Sequence, residues 1–290
     1  MSEAFDWKTG AKGLMLRSLW SAVGRRNVVR LGRFLSNEAR YDIPNGIETN
    51  GERLVQETCS SFVTDGPLVV IDVGANVGDW SSALFRSARK TGRRELSVHC
   101  FEPAPHSFER LRSRLELERG AYSVTCVPAA ASTEPGRAVL HLATQLGGTN
   151  SLHGHAHGLD AGTIDVELTS LDLYCATNSI AHVHLAKCDA EGHDLSVLRG
   201  ARGLLSRGAI DVFQFEYNWR WVDARAFLAD VFELVKASPY VVAKVTPRGV
   251  EPYEKWHPEL ESFREGNYVL LSRALITRFE TIEWWNDVAR

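Results

Sequence analysis

The fold of this chain is decided by LVVIDVGANVGDWSSALFRSARK, residues Leu68–Lys90. Its first six residues, Leu68–Val73, are apolar up to their acidic residue, as in a β-strand that is covered on both faces. Residues Asp79–Arg89 have the apolar spacing of an amphipathic helix. Two glycines, Gly74 and Gly78, lie between the strand and the helix. A strand, a glycine-containing turn and a helix in this order are typical of the first unit of a parallel sheet.

Strand and helix patterns alternate after this unit, and then the alternation breaks. The further predicted strands are Leu96–Phe101, Ser123–Ala130, Arg137–Thr144, Thr163–Leu171, Ala181–Asp189, Ile210–Asn218, Tyr240–Pro247 and Asn267–Arg273. The further predicted helices are His106–Arg119, His193–Leu205 and Asp223–Lys236. A loop rich in glycine and histidine, Leu146–Gly158, is long enough to indicate a functional segment. We predict a doubly wound α/β sheet that is mostly parallel, with an antiparallel pair formed by the last two strands.

The N-terminal segment differs from the rest of the chain in its charge. Within Met1–Arg40, eight lysines and arginines stand against three acids and are interleaved with leucine, valine and tryptophan. This pattern indicates a basic amphipathic helix. We predict a helical extension at residues 1–55 that acts as a lid on a domain at residues 56–290. Binding of this helix to a membrane surface is the alternative.

Composition narrows the partners and the compartment. The 290 residues are 44% hydrophobic and carry a formal charge of −3, which offers no overall attraction to nucleic acid. The five cysteines have no C-x-x-C or zinc spacing, so we expect buried thiols in a reducing compartment. No apolar run reaches the roughly 20 residues that span a bilayer. We therefore predict a cytoplasmic protein with no nucleic-acid partner and no transmembrane segment, and a homodimer is possible.

The exit of the first strand has the features of a cofactor site. Ligands of open α/β sheets bind at the carboxyl ends of the strands. The DVGANVG run differs from the G-x-G-x-x-G fingerprint that binds a pyrophosphate, which argues against a nicotinamide oxidoreductase. S-adenosylmethionine contains no phosphate, and Asp72 would lie near its methionine end. Gly74 and Gly78 would let the backbone turn against the ligand, with Asn76 between them.

Two further strand exits extend this site. Glu102 and Pro103 follow the second strand, where a carboxylate can accept hydrogen bonds from both ribose hydroxyls. Small residues after the third strand, among them Ala130, leave room for an adenine edge. The predicted S-adenosylmethionine site consists of Asp72, Gly74, Asn76, Gly78, Glu102, Pro103, Ala130 and Asp189.

The fourth strand ends in a dense group of charged residues, KCDAEGH. Alternation along a strand places Lys187, Asp189 and Glu191 on one side. A carboxylate or an imidazole at a strand exit can act as a general base when it lies within hydrogen-bond reach of a proton on a bound substrate. The candidates are Asp189, Glu191 and His193, in that order, with Lys187 orienting a carboxylate or the substrate.

The same carboxylates have other interpretations. A structural salt-bridge cluster with Arg199 or Arg202 is one. A magnesium site formed by Asp189, Glu191 and Glu216 is another, because Mg²⁺ prefers carboxylate oxygens, although we favour a site without metal.

Histidines and tryptophans supply two weaker signals. His153, His155 and His157 alternate in the long loop, where a polar lid is favoured over a metal cluster. Flat apolar surfaces suited to sugar rings or to packing are offered by Trp219, Trp221, Trp256, Trp284 and Trp285.

Six segments, taken in order, resemble the FkbM family of methyltransferases. They are VVIDVGANVGDWS, CFEPAPHSFERL, TSLD, LAKCDAEGHDLSVLRGA, FQFEYN and GNYVLL, and they cover roughly residues 68–271. The resemblance implies a class I methyltransferase (Rossmann-like) fold, S-adenosylmethionine as cofactor, and O-methylation of a small molecule, sugar or secondary metabolite. The family motif K-x-D-x-E-G falls on Lys187, Asp189, Glu191 and Gly192. A non-catalytic S-adenosylmethionine-binding protein and an N-methyltransferase of the same fold are the alternatives.

Overall fold

The computed structural model describes residues 11–42, 46–143, 149–154 and 161–286. The helices are α1 (Ala11–Val23), α2 (Arg25–Arg40), α3 (Glu52–Phe62), α4 (Asp79–Lys90), α5 (Pro105–Glu118), α6 (Leu171–Thr177), α7 (Asp194–Gly200), α8 (Arg202–Ser206) and α9 (Leu228–Val235). The strands are β1 (Leu68–Val73), β2 (Leu96–Phe101), β3 (Ser123–Val127), β4 (Ala130–Ala131), β5 (Gly136–His141), β6 (Thr163–Thr169), β7 (Val183–Cys188), β8 (Ile210–Tyr217), β9 (Tyr240–Thr246), β10 (Gly249–Tyr253) and β11 (Gly266–Ser272).

The large sheet has eight strands in the order β10-β9-β11-β8-β7-β1-β2-β3. The five strands from β3 to β8 in this order are parallel. β11 pairs antiparallel with both β8 and β9, and β10 adds an antiparallel edge. This arrangement confirms the predicted doubly wound sheet of a class I methyltransferase. The predicted antiparallel pairing of the last two strands, now β9 and β11, is also confirmed.

The chain begins this sheet in the middle, at β1. It builds outward to β3 and then returns to add β7 on the other side of β1. The two halves diverge between β1 and β7, and this is where a crevice opens at the carboxyl ends of the strands. The exits of β1, β2, β7 and β8 therefore lie along one edge.

Helices cover both faces of the sheet, and β1 shows how the sequence directs them. Ile71 and Val73 belong to the hydrophobic cluster that includes residues of α6 to α9. Leu68 and Val70, which point the opposite way, belong to the cluster that includes residues of α3 to α5. Each of these four side chains is almost fully buried, which contributes roughly 2 kcal/mol of hydrophobic free energy per residue.

The predicted third strand is divided between two sheets. The predicted segment was Ser123–Ala130, but β3 ends at Val127, one residue before Pro128, which has no backbone N–H for a ladder. The chain then enters a small sheet of order β4-β6-β5. The predicted strand Thr163–Leu171 also ends early, because the Ser170 side chain accepts a hydrogen bond from the backbone and begins α6.

The predicted helix His193–Leu205 is two helices in the structure. The Asp172 carboxylate accepts hydrogen bonds from the backbone N–H groups of Gly203 and Leu204 at 2.7 and 2.8 Å. These bonds satisfy the first turn of α8 and separate it from α7. Asp172 lies on α6, so the local sequence of the helix does not contain the cause of the break.

The C-terminal third also differs from its prediction. The predicted helix Asp223–Lys236 is confined to α9, because Asn218 caps a short 3-10 helix at Trp219–Trp221 and turns occupy the residues that follow. β10 was not predicted. It contains Pro252, which interrupts a strand pattern but is tolerated in an edge strand.

The chain divides into two compact units, residues 1–43 and residues 44–290. The predicted helical extension is present as α1 and α2 in the first unit. The predicted boundary between residues 55 and 56 falls inside α3, which places Val55 and Cys59 in the hydrophobic core of the second unit. The lid function of the extension stays a prediction.

Two further predictions concern cysteines and membrane segments. All five cysteines are free thiols, and four of them are buried. Among the described helices, none is long and apolar enough to cross a bilayer.

Candidate active site

Two cavities open at the carboxyl edge of the sheet. Cavity A is lined by the exits of β1, β2 and β7 together with β4. Cavity B is lined by the exits of β1, β7 and β8 and by the start of α3. Gly74, Asn76, Asp189 and Glu191 line both cavities. Ligands in the two cavities would meet at these four residues.

Gly74 allows the exits of β1 and β7 to approach each other. Its φ is +72°, and a Cβ at this position would clash with the carbonyl oxygen of Asp189. The N–H of Asp189 donates to Val73 O at 3.1 Å, which joins the same two exits. Only glycine satisfies both the positive φ and the close approach. The glycine predicted to lie against a ligand is therefore also the residue that brings Asp189 to the junction.

Asp72 and Gly78 lie outside the linings of both cavities. Asp72 is fully buried, and its carboxylate accepts a hydrogen bond from Ser81 Oγ at 2.7 Å. Gly78, at φ +87°, precedes α4, where an added Cβ would lie 3.0 Å from Leu111 and Leu115 of α5. Both residues were predicted to contact a ligand directly. In the structure they support the turn and the packing around it, and their contact with a ligand stays a prediction.

Glu102, a predicted cofactor-binding residue, lines cavity A and is only 6% exposed. Its two carboxylate oxygens accept backbone N–H bonds from Asn76 and Ala104, both at 2.9 Å. Burial raises the pKa of Glu102 to about 7, against the opposing effect of these two bonds. The bonds hold the carboxylate in one orientation at the exit of β2.

The remaining wall of cavity A is largely apolar. Pro103 and Ala130 line it as predicted. Leu140 and Leu152 add apolar surface, and Asn150 adds an amide group. An apolar cleft with a few fixed polar groups is the usual form of a small-molecule site.

Lys187 holds Asp189 in place at the junction of the two cavities. Its Nζ lies 3.4 Å from Asp189 Oδ2 and 3.6 Å from Asp72 Oδ1. Although burial opposes protonation, the carboxylates of Asp189, Asp72 and Glu52 raise the pKa of Lys187 above its usual range. The lysine is therefore charged and bridges a buried carboxylate to one that is 39% exposed. The role of Lys187 in orienting a carboxylate for catalysis stays a prediction.

Glu191 has a different partner from the one considered in the sequence. Its Oε2 lies 2.7 Å from Arg220 Nε, so the salt bridge involves neither Arg199 nor Arg202. Burial and the nearby Asp189 carboxylate raise the pKa of Glu191 to about 8, while Arg220 opposes the rise.

Glu216 completes a group of three carboxylates. Its side chain is buried, and Oε2 accepts a hydrogen bond from Asn218 Nδ2 at 2.6 Å. One oxygen each from Asp189, Glu191 and Glu216 lie within 4.8 Å of one another. Three carboxylate oxygens at this separation fit the ligand preference of a divalent cation such as Mg²⁺.

His193 lines cavity A, but both of its ring nitrogens have partners. Nε2 lies 2.9 Å from Ser132 Oγ, and Nδ1 lies 3.1 Å from His153 Nε2. Burial, and then the neighbouring His153, lower the pKa of His193 to about 4. This geometry does not favour the predicted role of His193 as a general base. His155 and His157, the other members of the predicted histidine group, lie outside the described residues.

Several residues of cavity B were not singled out in the sequence as part of a site. Glu52 comes from α3, Arg220 follows β8 and Glu265 precedes β11. Trp219, one of the five predicted flat surfaces, lines cavity B and is 43% exposed, whereas Trp221 is fully buried in the core. Trp219 and Arg220 directly follow a predicted strand exit, and this position was the one sequence feature that could have indicated their place in cavity B.

The family of the chain follows from a match over most of this site. Residues 72–242 match the Methyltransferase FkbM domain model. The chain belongs to the FkbM methyltransferase family. The resemblance stated from the sequence is thus confirmed. No curated protein matches this FkbM methyltransferase chain.

Solved structures that resemble this FkbM-family chain share little sequence with it. An FkbM methyltransferase from Methylobacillus flagellatus KT is 16% identical with a TM-score of 0.44. The match covers 72% of this chain and 45% of that one, so this chain spans less than half of its length. An rRNA methylase from Streptococcus thermophilus is 11% identical with a TM-score of 0.42, and the match covers 77% of this chain and 97% of that one. A precorrin-6y C5,15-methyltransferase from Geobacter metallireducens GS-15 is 14% identical with a TM-score of 0.36, and the match covers 75% of this chain and 85% of that one. The family is one of methyltransferases, and it implies S-adenosylmethionine as methyl donor.

Proposed function

We propose that this FkbM-family methyltransferase methylates a hydroxyl oxygen of a small molecule, sugar or secondary metabolite. The observation that carries the proposal is the junction of cavities A and B at Asp189. A carboxylate there is within reach of an acceptor in cavity B and adjoins the cavity that fits the methyl donor. Methyl transfer requires the acceptor oxygen close to the methyl group and in line with it, so positioning is most of the task.

The residues of cavity A fit S-adenosylmethionine, which supplies an electrophilic methyl group when bound. Glu102 is oriented by two backbone bonds to accept hydrogen bonds from the ribose hydroxyls. Pro103 and Ala130 lie where an adenine ring needs apolar surface. Gly74 and Asn76 form the floor at the junction, while Asp72 and Gly78 act indirectly through the turn.

Asp189 is the proposed general base. Lys187 fixes its Oδ2, and the carboxylate is partly exposed, so an acceptor hydroxyl can donate a hydrogen bond to it. Removing the hydroxyl proton in this way is worth roughly 10²–10⁴-fold in rate. Glu191 is the second candidate, although its salt bridge with Arg220 leaves it less free to move toward a substrate.

A divalent cation is a possible addition to this site. The group formed by Asp189, Glu191 and Glu216 has the ligand chemistry for Mg²⁺, which would bring an acceptor oxygen close to the base. The same carboxylates serve without metal if Asp189 acts alone. Acceptor assays therefore need to be run both with added Mg²⁺ and with a chelator.

The cofactor assignment is tested by calorimetric titration with S-adenosylhomocysteine. The wild-type protein is expected to bind with micromolar affinity, and Glu102→Ala is expected to abolish detectable binding. Glu134→Ala removes an exposed glutamate outside both cavities and is the matched control. No binding by folded wild-type protein would overturn the assignment.

The reaction is tested next with acceptors of different chemistry. Transfer of a labelled methyl group from S-adenosylmethionine is measured on sugars, hydroxylated aromatic compounds and polyketide alcohols, and on matched amines. Transfer to a hydroxyl that is lost in Asp189→Asn supports the proposal. Transfer to amines alone would contradict O-methylation and favour an N-methyltransferase.

A further inference from the structure

The helix α2 has an apolar face. None of its sixteen residues is buried. Leu31, Phe34 and Leu35 are 52, 59 and 56% exposed. They recur at helical spacing and form a stripe along a helix of about 24 Å. In the preceding helix α1, Trp20 is 48% exposed as well.

The opposite face of α2 is basic. At about 100° per residue, five arginines fall within an arc of about 140°. They are Arg25, Arg26, Arg30, Arg33 and Arg40, of which Arg40 already pairs with Asp42 at 3.3 Å. The one acid of the helix, Glu38, follows Phe34 and Leu35 at helical spacing and ends the apolar stripe. Residues 11–42 together contain seven basic residues against two acids, although the whole chain has a formal charge of −3.

We propose that α2 docks on an anionic lipid surface and lies parallel to it. The apolar stripe would enter the boundary between headgroups and acyl chains, and the arginines would bind lipid phosphates. The helix is too short and too charged to cross a bilayer, in agreement with the described helices as a whole. The interaction is therefore peripheral.

Other occupants fit these two faces less well. Docking of two α2 helices against each other would bring two sets of five arginines together, and like charges repel. RNA would bind the arginines through its phosphates but would leave the stripe of Leu31, Phe34 and Leu35 in water. A lipid surface is the partner whose apolar and anionic parts match both faces at once.

The test is flotation of the full-length protein with vesicles of two compositions. We expect binding to vesicles of equal parts phosphatidylcholine and phosphatidylglycerol, little binding to phosphatidylcholine alone, and a loss of binding at high salt. Arg30→Glu with Arg33→Glu is expected to lower the partition coefficient by at least about tenfold, because each basic residue adds to the attraction. Leu31→Ser with Phe34→Ser is expected to lower it by a similar factor.

Controls separate this interaction from the other occupants. Arg94→Glu with Arg110→Glu makes the same change of charge at exposed positions in residues 44–290 and is expected to leave binding unchanged. Circular dichroism and urea unfolding check that each variant keeps its fold, which is expected because α2 has no buried residue.

Three results would overturn the proposal. Absence of binding to both vesicle types would leave the predicted lid role for this segment. Binding to a structured RNA that survives the Leu31→Ser and Phe34→Ser changes, without vesicle binding, would assign the arginines to nucleic acid. Dimer formation that is lost in Phe34→Ser, again without vesicle binding, would assign the stripe to a second copy of the chain.

Discussion

Cavities A and B use their carboxylates in opposite ways. In cavity A, Glu102 is fixed by two backbone N–H groups and has one orientation. Along cavity B, Glu216 lies close to Asp189 and Glu191, which line both cavities and pair with Lys187 and Arg220. The first cavity is therefore organised for one ligand shape, whereas the second holds like charges at a cost in stability. Active sites commonly accept such a cost for reactivity.

The largest expected effect is on the rate of methyl transfer, when the proposed base Asp189 is replaced. Asp189→Asn keeps the size of the side chain but cannot accept a proton. It is expected to lower the rate of methyl transfer by roughly 10²–10⁴-fold. Because Asp189 also lines cavity A, the rate is compared at saturating S-adenosylmethionine, beside the dissociation constant of S-adenosylhomocysteine. Single-turnover kinetics and calorimetry measure the two quantities.

Asp165→Asn makes the same chemical change at an exposed position of β6 and is expected to leave the rate unchanged. An Asp189→Asn enzyme with the wild-type rate would remove Asp189 from the mechanism and point to Glu191.

The second effect concerns the junction that joins the two cavities. Gly74→Ala introduces a Cβ that clashes with the backbone of Asp189. Gly66 has nearly the same φ, +69° against +72°, but has nothing within 4 Å of an added Cβ. Gly66→Ala is therefore expected to cost about 1–2 kcal/mol of unfolding free energy from φ alone. Gly74→Ala is expected to cost at least about 2 kcal/mol more, as measured by urea unfolding.

Equal losses in the two alanine variants would mean that the exits of β1 and β7 are not in contact. A further loss in Gly74→Ala, accompanied by loss of S-adenosylhomocysteine binding, would tie that contact to cavity A.

The third effect is a pH dependence that belongs to cavity A. The pKa of Glu102 is raised to about 7 by burial, so the carboxylate that accepts the ribose hydrogen bonds is lost as the pH falls through 7. S-adenosylhomocysteine is expected to bind about tenfold more weakly at pH 6 than at pH 8. Glu102→Gln is expected to bind weakly at both pH values and to show no such slope in calorimetry. A slope that persists in this variant would assign the titration to another group, such as Glu191.

The smallest effect is on the free energy of unfolding and comes from Glu216 in cavity B. Here the protein is expected to lose stability as the pH rises. Burial, and then the carboxylates of Asp189 and Asp194, raise the pKa of Glu216 well above its usual range. As the pH rises, the unfolded chain loses this proton first, so the folded state loses stability. In buffer with a chelator, Glu216→Gln is expected to be more stable than wild type by about 1 kcal/mol at pH 8. The difference is expected to vanish below pH 4, where both states are protonated.

Urea unfolding at the two pH values measures this difference, with Glu134→Gln as the exposed control. A Glu216→Gln protein that is less stable than wild type at pH 8 would show that the Asn218 hydrogen bond outweighs the repulsion.

Local sequence predicted the strand exits well, because a strand, its turn and the following helix are written in consecutive residues. Glu102 and Asp189 lie at strand exits for this reason. The surroundings of Asp72 follow from the tertiary fold, because its neighbour Lys187 is 115 residues away in the chain and is set beside it only by the pairing of β1 with β7. The direction in which Asp72 points depends on that pairing.

Residues that reach the site from distant elements could not be predicted at all. Glu52 reaches cavity B from α3, and it accepts a hydrogen bond from Gln214 of β8 at 2.6 Å. The residues next to Glu52 in the sequence look like an ordinary helix start and do not mark it as a site residue. The break between α7 and α8 is similar, since Asp172 of α6 causes it. In both cases tertiary contacts override local preference.

The position of β11 has a consequence for how the protein is made. β11 lies between β8 and β9, although it is translated after both. While the ribosome synthesises the chain, β8 keeps an open edge until Gly266–Ser272 has emerged, and β9 has no neighbour on that side. Open strand edges are the usual starting points of aggregation. The nascent chain is therefore most in need of a chaperone between the synthesis of β8 and that of β11, and a chain cut before Gly266 is expected to aggregate rather than to fold partially.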